Sequence, residues 1–253
     1  MSNNEHDTPI VRMEKITKRF GTITALDGVD FTVYRHEVVG LLGDNGAGKS
    51  TLIKCLTGVY TPDGGRIYFE GKPVEISSPR EARALGIETC YQDLALVNQM
   101  SIMRNFYLGR ELVRRIGPIR WLDIREMNRR AKEALRDIGI EIRSPSEKVD
   151  KLSGGERQSI AIGRAKYFGA KLLILDEPTS ALSVAETRKV LSYTQAAKER
   201  GLGVIFITHN VSHVYQVADR FTILRRGQLV GTYEKGEVTE DDIADLITGE
   251  RER

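Results

Sequence analysis

Residues Gly43, Asp44, Asn45, Gly46, Ala47, Gly48, Lys49, Ser50 and Thr51 hold the densest chemistry in this chain. They fit the spacing G-x-x-x-x-G-K-[ST] and follow the apolar run Val38-Val39-Gly40-Leu41-Leu42. The glycines let the backbone take positive φ and come close to a ligand. Backbone N–H groups in such a loop converge into an anion nest. A helix starting near Lys49 would add the positive end of its dipole. Lys49 offers a mobile charge for β- and γ-phosphates, and Ser50 a hydroxyl for Mg²⁺. The expected ligand is a nucleoside triphosphate, ATP or GTP, held with Mg²⁺.

A second constellation lies downstream. The apolar run Leu172–Leu175 ends in Asp176-Glu177. A buried strand would thus deliver two carboxylates together. Asp176 can enter the shell of a magnesium ion. Glu177 can polarise a water for in-line attack on a γ-phosphate. Between the two constellations stands Leu152-Ser153-Gly154-Gly155-Glu156-Arg157-Gln158. Ser153 reads as a helix N-cap and Glu156 as the partner that completes a capping box. Two glycines beside the serine hydroxyl are expected to leave the helix's free N–H groups open as a second anion site. His209 and His213 have the spacing H-x-x-x-H, but Asn210-Val211-Ser212 between them lacks the glutamate of a zinc helix, and no metal is expected there.

The elements that must position these groups can be read from periodicity. Residues 1–9 are polar and read as disordered. Two β-type segments follow, around Ile10–Thr17 and Val29–Val33. The strand Val38–Leu42, a helix from Lys49 to Thr57 stopped by Gly58, and a strand Arg66–Phe69 come next. Ser78-Pro79-Arg80-Glu81 opens a short helix before a strand at Ile87–Tyr91. From Asp93 to about Asp150 the chain reads as helical and arginine-rich, with an apolar stripe of Ile124, Met127, Ala131, Ala134, Leu135 and Ile138 and a stop at Gly139. After residue 165, strand-type runs Leu172–Leu175 and Val204–Thr208 flank a helix at Val184–Arg200. Phe221–Leu224 and Leu229–Tyr233 read as a hairpin, and the last 20 residues as a surface helix with a charged tail.

Composition bounds the function. The chain has 253 residues, 40% hydrophobic and 29% charged, with a net charge of +3. Near-balanced charge argues against a nucleic-acid partner. No apolar run reaches the 18 or so residues of a membrane span. The N-terminus has no signal-peptide core, so a cytoplasmic location is expected. Cys55 and Cys90 are expected to be buried small apolar residues rather than a disulfide.

The phosphate loop, the Ser153 segment, Asp176-Glu177-Pro178-Thr179 and Thr208-His209 together resemble the ATP-binding cassette ATPases of transporters. The resemblance runs from about Ile10 to Gly249. It implies an α/β phosphate-loop fold with a mostly parallel sheet, an N-terminal antiparallel β portion and an inserted helical lobe near 93–164, all within one domain over 10–250. It also implies a homodimer in which Ser153, Gly154, Gly155 and Glu156 of one cassette close over ATP held by the other. Residue by residue, Phe20 would stack on adenine and Gln92 would sense Mg²⁺ and the attacking water. His209 would contact the γ-phosphate.

One departure stands out. The family usually carries Asp where this chain has Ser183, which puts the usual contact across the dimer in doubt. Yet Ala181-Leu182-Ser183-Val184, followed by Glu186 and Thr187, is similar to bacterial importers of ribose, xylose and fructose. This implies an ATP-hydrolysing subunit, peripheral on the cytoplasmic face of the inner membrane. Its partners would be membrane permease subunits and, indirectly, a periplasmic sugar-binding protein. An importer of another solute and a soluble cassette ATPase are the alternatives.

Overall fold

Runs of consecutive buried residues make the centre of the fold. In the computed structural model, which describes residues 8–90, 96–137, 142–180 and 182–250, β3 (Val38–Leu42), β9 (Leu172–Asp176) and β10 (Gly203–Ile207) lie side by side. Apart from Asp176 at the end of β9, each carries no polar side chain, because both faces of a parallel sheet are covered. The full sheet has the order β12-β11-β3-β10-β9-β6, where β6 is Ile87–Cys90, β11 Arg220–Arg225 and β12 Gln228–Glu234. All its pairings are parallel except β11–β12, the expected hairpin.

A second, antiparallel sheet has the order β2-β1-β4-β5. It comprises β1 (Val11–Phe20), β2 (Ile23–Val33), β4 (Gly64–Phe69) and β5 (Lys72–Val74). The first two strands are longer than their apolar patterning suggests. Register shifts near Ile16 and Lys18 break the two-residue alternation on which a strand is recognised.

One apolar core fills the space between the sheets and takes up α1 (Lys49–Leu56) and α2 (Pro79–Leu85). Val39 and Leu41 of β3 face it, while Val38 and Leu42 face a second core. That core packs α6 (Val184–Glu199), α7 (Val211–Val217) and α8 (Glu240–Thr248). The third core belongs to the middle segment. It joins α3 (Ile102–Tyr107), α4 (Ile124–Arg136) and α5 (Gly154–Tyr167). Ile160 of α5 faces this third core, and Ala161, Ile162 and Ala165 face the second. So α5 ties the lobe to the sheet.

Several expectations change here. Within the segment read as helical lies a two-stranded ribbon, β7 (Val113–Ile116) and β8 (Ile119–Leu122), turning at Gly117-Pro118. Of the α4 stripe, Met127, Ala131 and Leu135 are buried, but Ile124 is exposed, and Ile138 and Gly139 lie outside the described residues. Asp123 caps α4, yet Glu126 does not close the box; its carboxylate takes Arg129 and Arg130 instead. Likewise Ser78 caps α2 while the Glu81 carboxylate accepts from Ser77. The terminal α8 is not purely a surface helix, since Ile243 and Leu246 are buried. Burial pushes the Cys55 thiol up to about 11 and the Cys90 thiol up to about 12. The start of the chain read as disordered falls mostly outside the described residues, as do Tyr91, Gln92 and Ala181.

Candidate active site

The ends of β3, β9 and β10 open onto one cavity of about 790 Å³. It brings together Phe20, Asp44, Asn45, Gly46, Ala47, Gly48, Lys49, Ser50, Thr51, Asp176, Glu177 and His209. Gly43 does not line it. Gly43 has φ 144, and a Cβ there would run into the Leu224 carbonyl and the Ala47 side chain, so it is a glycine for packing against β11. Gly48, at φ 104, is the N-cap of α1, where a Cβ would sit 2.9 Å from the Ala25 carbonyl. A glycine N-cap has no side chain to cover the first N–H groups of α1, which leaves them for an anion.

Lys49 is buried at the first position of that helix. Its ammonium donates to the Gly43 carbonyl and, at 3.0 Å, to the Asp44 carbonyl. Burial lowers its pKa, opposed by Glu177, Asp44 and Asp176. Asp176, pairing with Ile207 across the sheet, shows the reverse: burial and then the Glu177 charge push its carboxyl above the usual carboxylate range. A partly buried carboxylate and an exposed Ser50 hydroxyl lining the same cavity are hard oxygen donors of the kind that fits Mg²⁺.

The raised pKa of Asp176 carries a stability cost. In the fold the neutral acid is favoured, so stability falls as pH rises from the unfolded pKa through the folded one. The cost is fully present at neutral pH. Asp176→Asn therefore raises the melting temperature, at neutral pH, of the protein free of nucleotide and divalent cations, and the gain is lost once pH falls below the ordinary carboxylate range. Thermal denaturation at neutral and acid pH checks this; a lower melting point at neutral pH would contradict it.

Glu177 has φ 48, a left-handed conformation rare for a side chain of this size. Its N–H donates to the Ile207 carbonyl at 2.9 Å. The carboxylate is clamped. Thr208 Oγ1 donates at 3.1 Å, the His209 N–H at 3.1 Å, and His209 Nδ1 lies 2.9 Å away. Thr208 is buried and also accepts from the Asn210 N–H. The His209 side chain is 73% exposed, so its ring is free on the cavity side. His213 turns away to Thr179 Oγ1 at 3.0 Å.

At the other end, the Phe20 ring stands 42% exposed at the tip of β1. Tyr60 meets it edge-on at 5.1 Å between centroids. Ile23, Thr24, Ala25 and Arg226 also line the cavity and were not foreseen. Arg226 sits in the turn between β11 and β12 at φ 50. Its signal was a basic residue beside Gly227 in a predicted hairpin turn.

The Ser153 segment lies outside this cavity. Ser153 caps α5 with the full capping box, accepting from Glu156 N at 3.3 Å while Glu156 accepts from Ser153 N at 2.8 Å. The two glycines differ from expectation. They admit the start of α6: a Cβ on Gly154 would come 2.5 Å from Leu182 Cδ2, and one on Gly155 3.1 Å from Glu186 Cβ. The contact that Glu186 makes with the start of α5 was not foreseen. The Glu186 carboxylate accepts from Ser183 and reaches the Gly155 N–H at 3.4 Å. These hydrogen bonds, those from Ser183 first, hold its pKa down to about 2. A negative charge therefore does stand beside Ser183, supplied three residues later.

A family profile described as ABC transporter matches residues 26–180. The chain is 46% identical over 239 residues to a xylose/arabinose import ATP-binding protein of Sulfolobus acidocaldarius, covering 94% of each. It is 44% identical over 249 residues to a fructose import ATP-binding protein of Rhizobium meliloti, covering 96% of this chain and 95% of that one. An ATP-binding cassette of an ABC transporter, solved in its ADP conformation, matches with a TM-score of 0.80 at 27% identity over 95% of each chain. Fold and pocket define a phosphate-loop ATPase. The chain belongs to the ABC transporter family, as an ATP-binding cassette.

Proposed function

We propose that this cassette is the ATP-hydrolysing subunit of a bacterial importer of simple sugars. One observation supports this most: the match to a xylose/arabinose import ATP-binding protein extends along nearly the whole of both chains. Residues 10–250 form one cassette, with the lobe of residues 93–164 inserted. It sits on the cytoplasmic face of the membrane, docked on permease subunits that receive sugar from a periplasmic binding protein. Among the described residues no helix is long and apolar enough to cross a membrane, so the pathway for sugar is assigned to partners.

Within the site, Phe20 stacks on adenine, and the loop N–H groups with Lys49 hold the phosphates. Ser50, Asp176 and Gln92 would hold Mg²⁺, which when bound would neutralise charge on the phosphate oxygens. Glu177 takes a proton from the water that attacks the γ-phosphorus, while the bond to the β-phosphate oxygen breaks and ADP leaves with the electron pair. His209 contacts the γ-phosphate. Two copies pack head to tail, and the Ser153 segment of each completes the other's site. Because each nucleotide then touches both copies, ATP favours the closed pair by its differential affinity.

The test is ATPase activity of the chain purified with its membrane subunits. Ribose, xylose or fructose, added with the cognate binding protein, is expected to raise turnover several-fold. Stimulation by amino acids or metal chelates alone would reassign the solute. Recovery with no membrane subunit at all would remove the importer reading.

A further inference from the structure

The ribbon β7–β8 takes no part in the mechanism above. Among the described residues it pairs with no other strand and forms a two-stranded sheet of its own. Val113, Ile119, Trp121 and Leu122 on it, and Ile124 just after, are 44%, 55%, 59%, 45% and 46% exposed. These five are half of the large exposed apolar residues among those described. The others are Phe20 and Ile23, which line the cavity, and Val59, Val97 and Val184 elsewhere. Among the described residues the ribbon is thus where exposed apolar side chains concentrate, rather than ordinary scatter.

Its charge is one-sided. Between Val113 and Leu122 stand Arg114, Arg115 and Arg120, and no Asp or Glu. Among the described residues none of the three has an ion-pair partner, whereas Arg110 holds Glu88 and Arg129 holds Glu126 and Glu133. The register places Arg115 opposite Arg120 beside the Val113–Leu122 pair, and Arg114 opposite Trp121. Each face of the ribbon therefore mixes cations with large apolar groups. Adjacent like charges cost stability in a free ribbon. A surface that supplies anions over an apolar layer would relieve that cost.

We propose that the ribbon docks on anionic lipid headgroups. The arginines meet the lipid phosphates. Trp121 and Ile119 sit at the boundary between headgroups and acyl chains, where amphipathic aromatic rings partition. An apolar pocket on a protein partner would account for Trp121 but not for three uncompensated arginines. An RNA backbone would account for the arginines but not for Val113, Ile119 and Leu122. The contact adds to the peripheral placement proposed above, and vesicle binding needs no permease, so either reading can fail without the other.

Trp121 is the chain's single tryptophan, so tryptophan emission, excited selectively over the tyrosines, reports on the ribbon alone. The full chain is titrated with vesicles of phosphatidylcholine with and without phosphatidylglycerol. A blue shift is expected with the anionic vesicles, together with quenching by phosphatidylglycerol brominated on its acyl chains and reversal by added salt. The triple variant Arg114→Gln, Arg115→Gln, Arg120→Gln should bind at least tenfold more weakly while its ATPase activity matches the parent, which reports an intact fold. No shift with anionic vesicles would overturn the proposal. So would equal binding to neutral vesicles, or a shift seen only with RNA or with detergent-solubilised permease.

Discussion

Replacing Glu177 by Gln keeps ATP binding and lowers turnover by roughly 10²-fold or more, the range expected when a main general base is lost. The geometry explains why the two properties separate. The carboxylate is held by Thr208, the His209 N–H and the His209 ring, not by the loop that takes the phosphates. Thr208 and the His209 N–H donate to different carboxylate oxygens, so a glutamine oxygen can keep the His209 N–H while its amide nitrogen donates to the Thr208 hydroxyl, and the strained backbone at φ 48 keeps its anchor. What is lost is basicity. Slowed hydrolysis should also trap the closed pair of cassettes. In this background, cysteines at Asn45 and Ser153 should crosslink separate chains when ATP is added. These positions are preferable to Gly154, where any Cβ meets Leu182 at 2.5 Å. The native thiols are buried and hard to ionise, so background reaction is low. Steady-state ATPase that survived the change intact would remove Glu177 from its role. Loss of turnover without crosslinks would keep the base and remove the head-to-tail dimer.

How far the sequence alone reaches depends on how local the cause is. The phosphate loop, the apolar strands before it and before Asp176, and the Ser153 cap are each set by residues within a few positions, and all were legible. The ribbon was not. Its alternation is filled by arginines on both faces, so neither a helical nor a strand stripe emerges from Val113 to Leu122; the Gly117-Pro118 turn between Ile116 and Ile119 was the one available signal. Arg226 and Ala25 reach the cavity only because β2 and the β11–β12 turn fold over α1, a long-range event. Glu186 is the sharper case. As the third residue of α6 it reads as an ordinary capping glutamate, and it does cap Ser183. That it also faces the start of α5 follows from two glycines some 30 positions earlier, which let the helix ends meet.

Such meetings suggest a route for communication. The residues that set the lobe's position and those that set the chemistry share elements. Helix α5 packs on both the lobe core and the sheet core, and its first turn shares the Glu186 carboxylate with α6. Helix α6 in turn begins seven residues after Glu177. A shift of the lobe would therefore be expected to move the Ser153 segment and the start of α6 together. Packed helices of this kind change arrangement as units rather than by continuous bending.

Replacing Lys49 by Ala should do what the Glu177 change does not: abolish tight nucleotide binding. A hydrogen bond to a charged group contributes about 1.5–3 kcal/mol, which is roughly 10- to 150-fold in Kd. The nucleotide-free protein should hardly notice. Alanine favours helix at the first position of α1. Loss of the bonds to the Gly43 and Asp44 carbonyls is offset by removal of a buried ammonium, whose lowered pKa marks it as costly to bury. The sign follows: with the folded pKa below the unfolded one, the fold disfavours the charged lysine at neutral pH, and deleting it relieves that cost. The stabilisation that ATP gives, RT ln(1 + [ATP]/Kd), should then nearly vanish at ATP concentrations that raise the parent's melting point by several degrees. Thermal denaturation with and without ATP reads both effects in one experiment. Unchanged ATP affinity in the variant would mean that the loop and helix dipole carry the phosphates alone, and that the lysine serves only to tie the loop to itself.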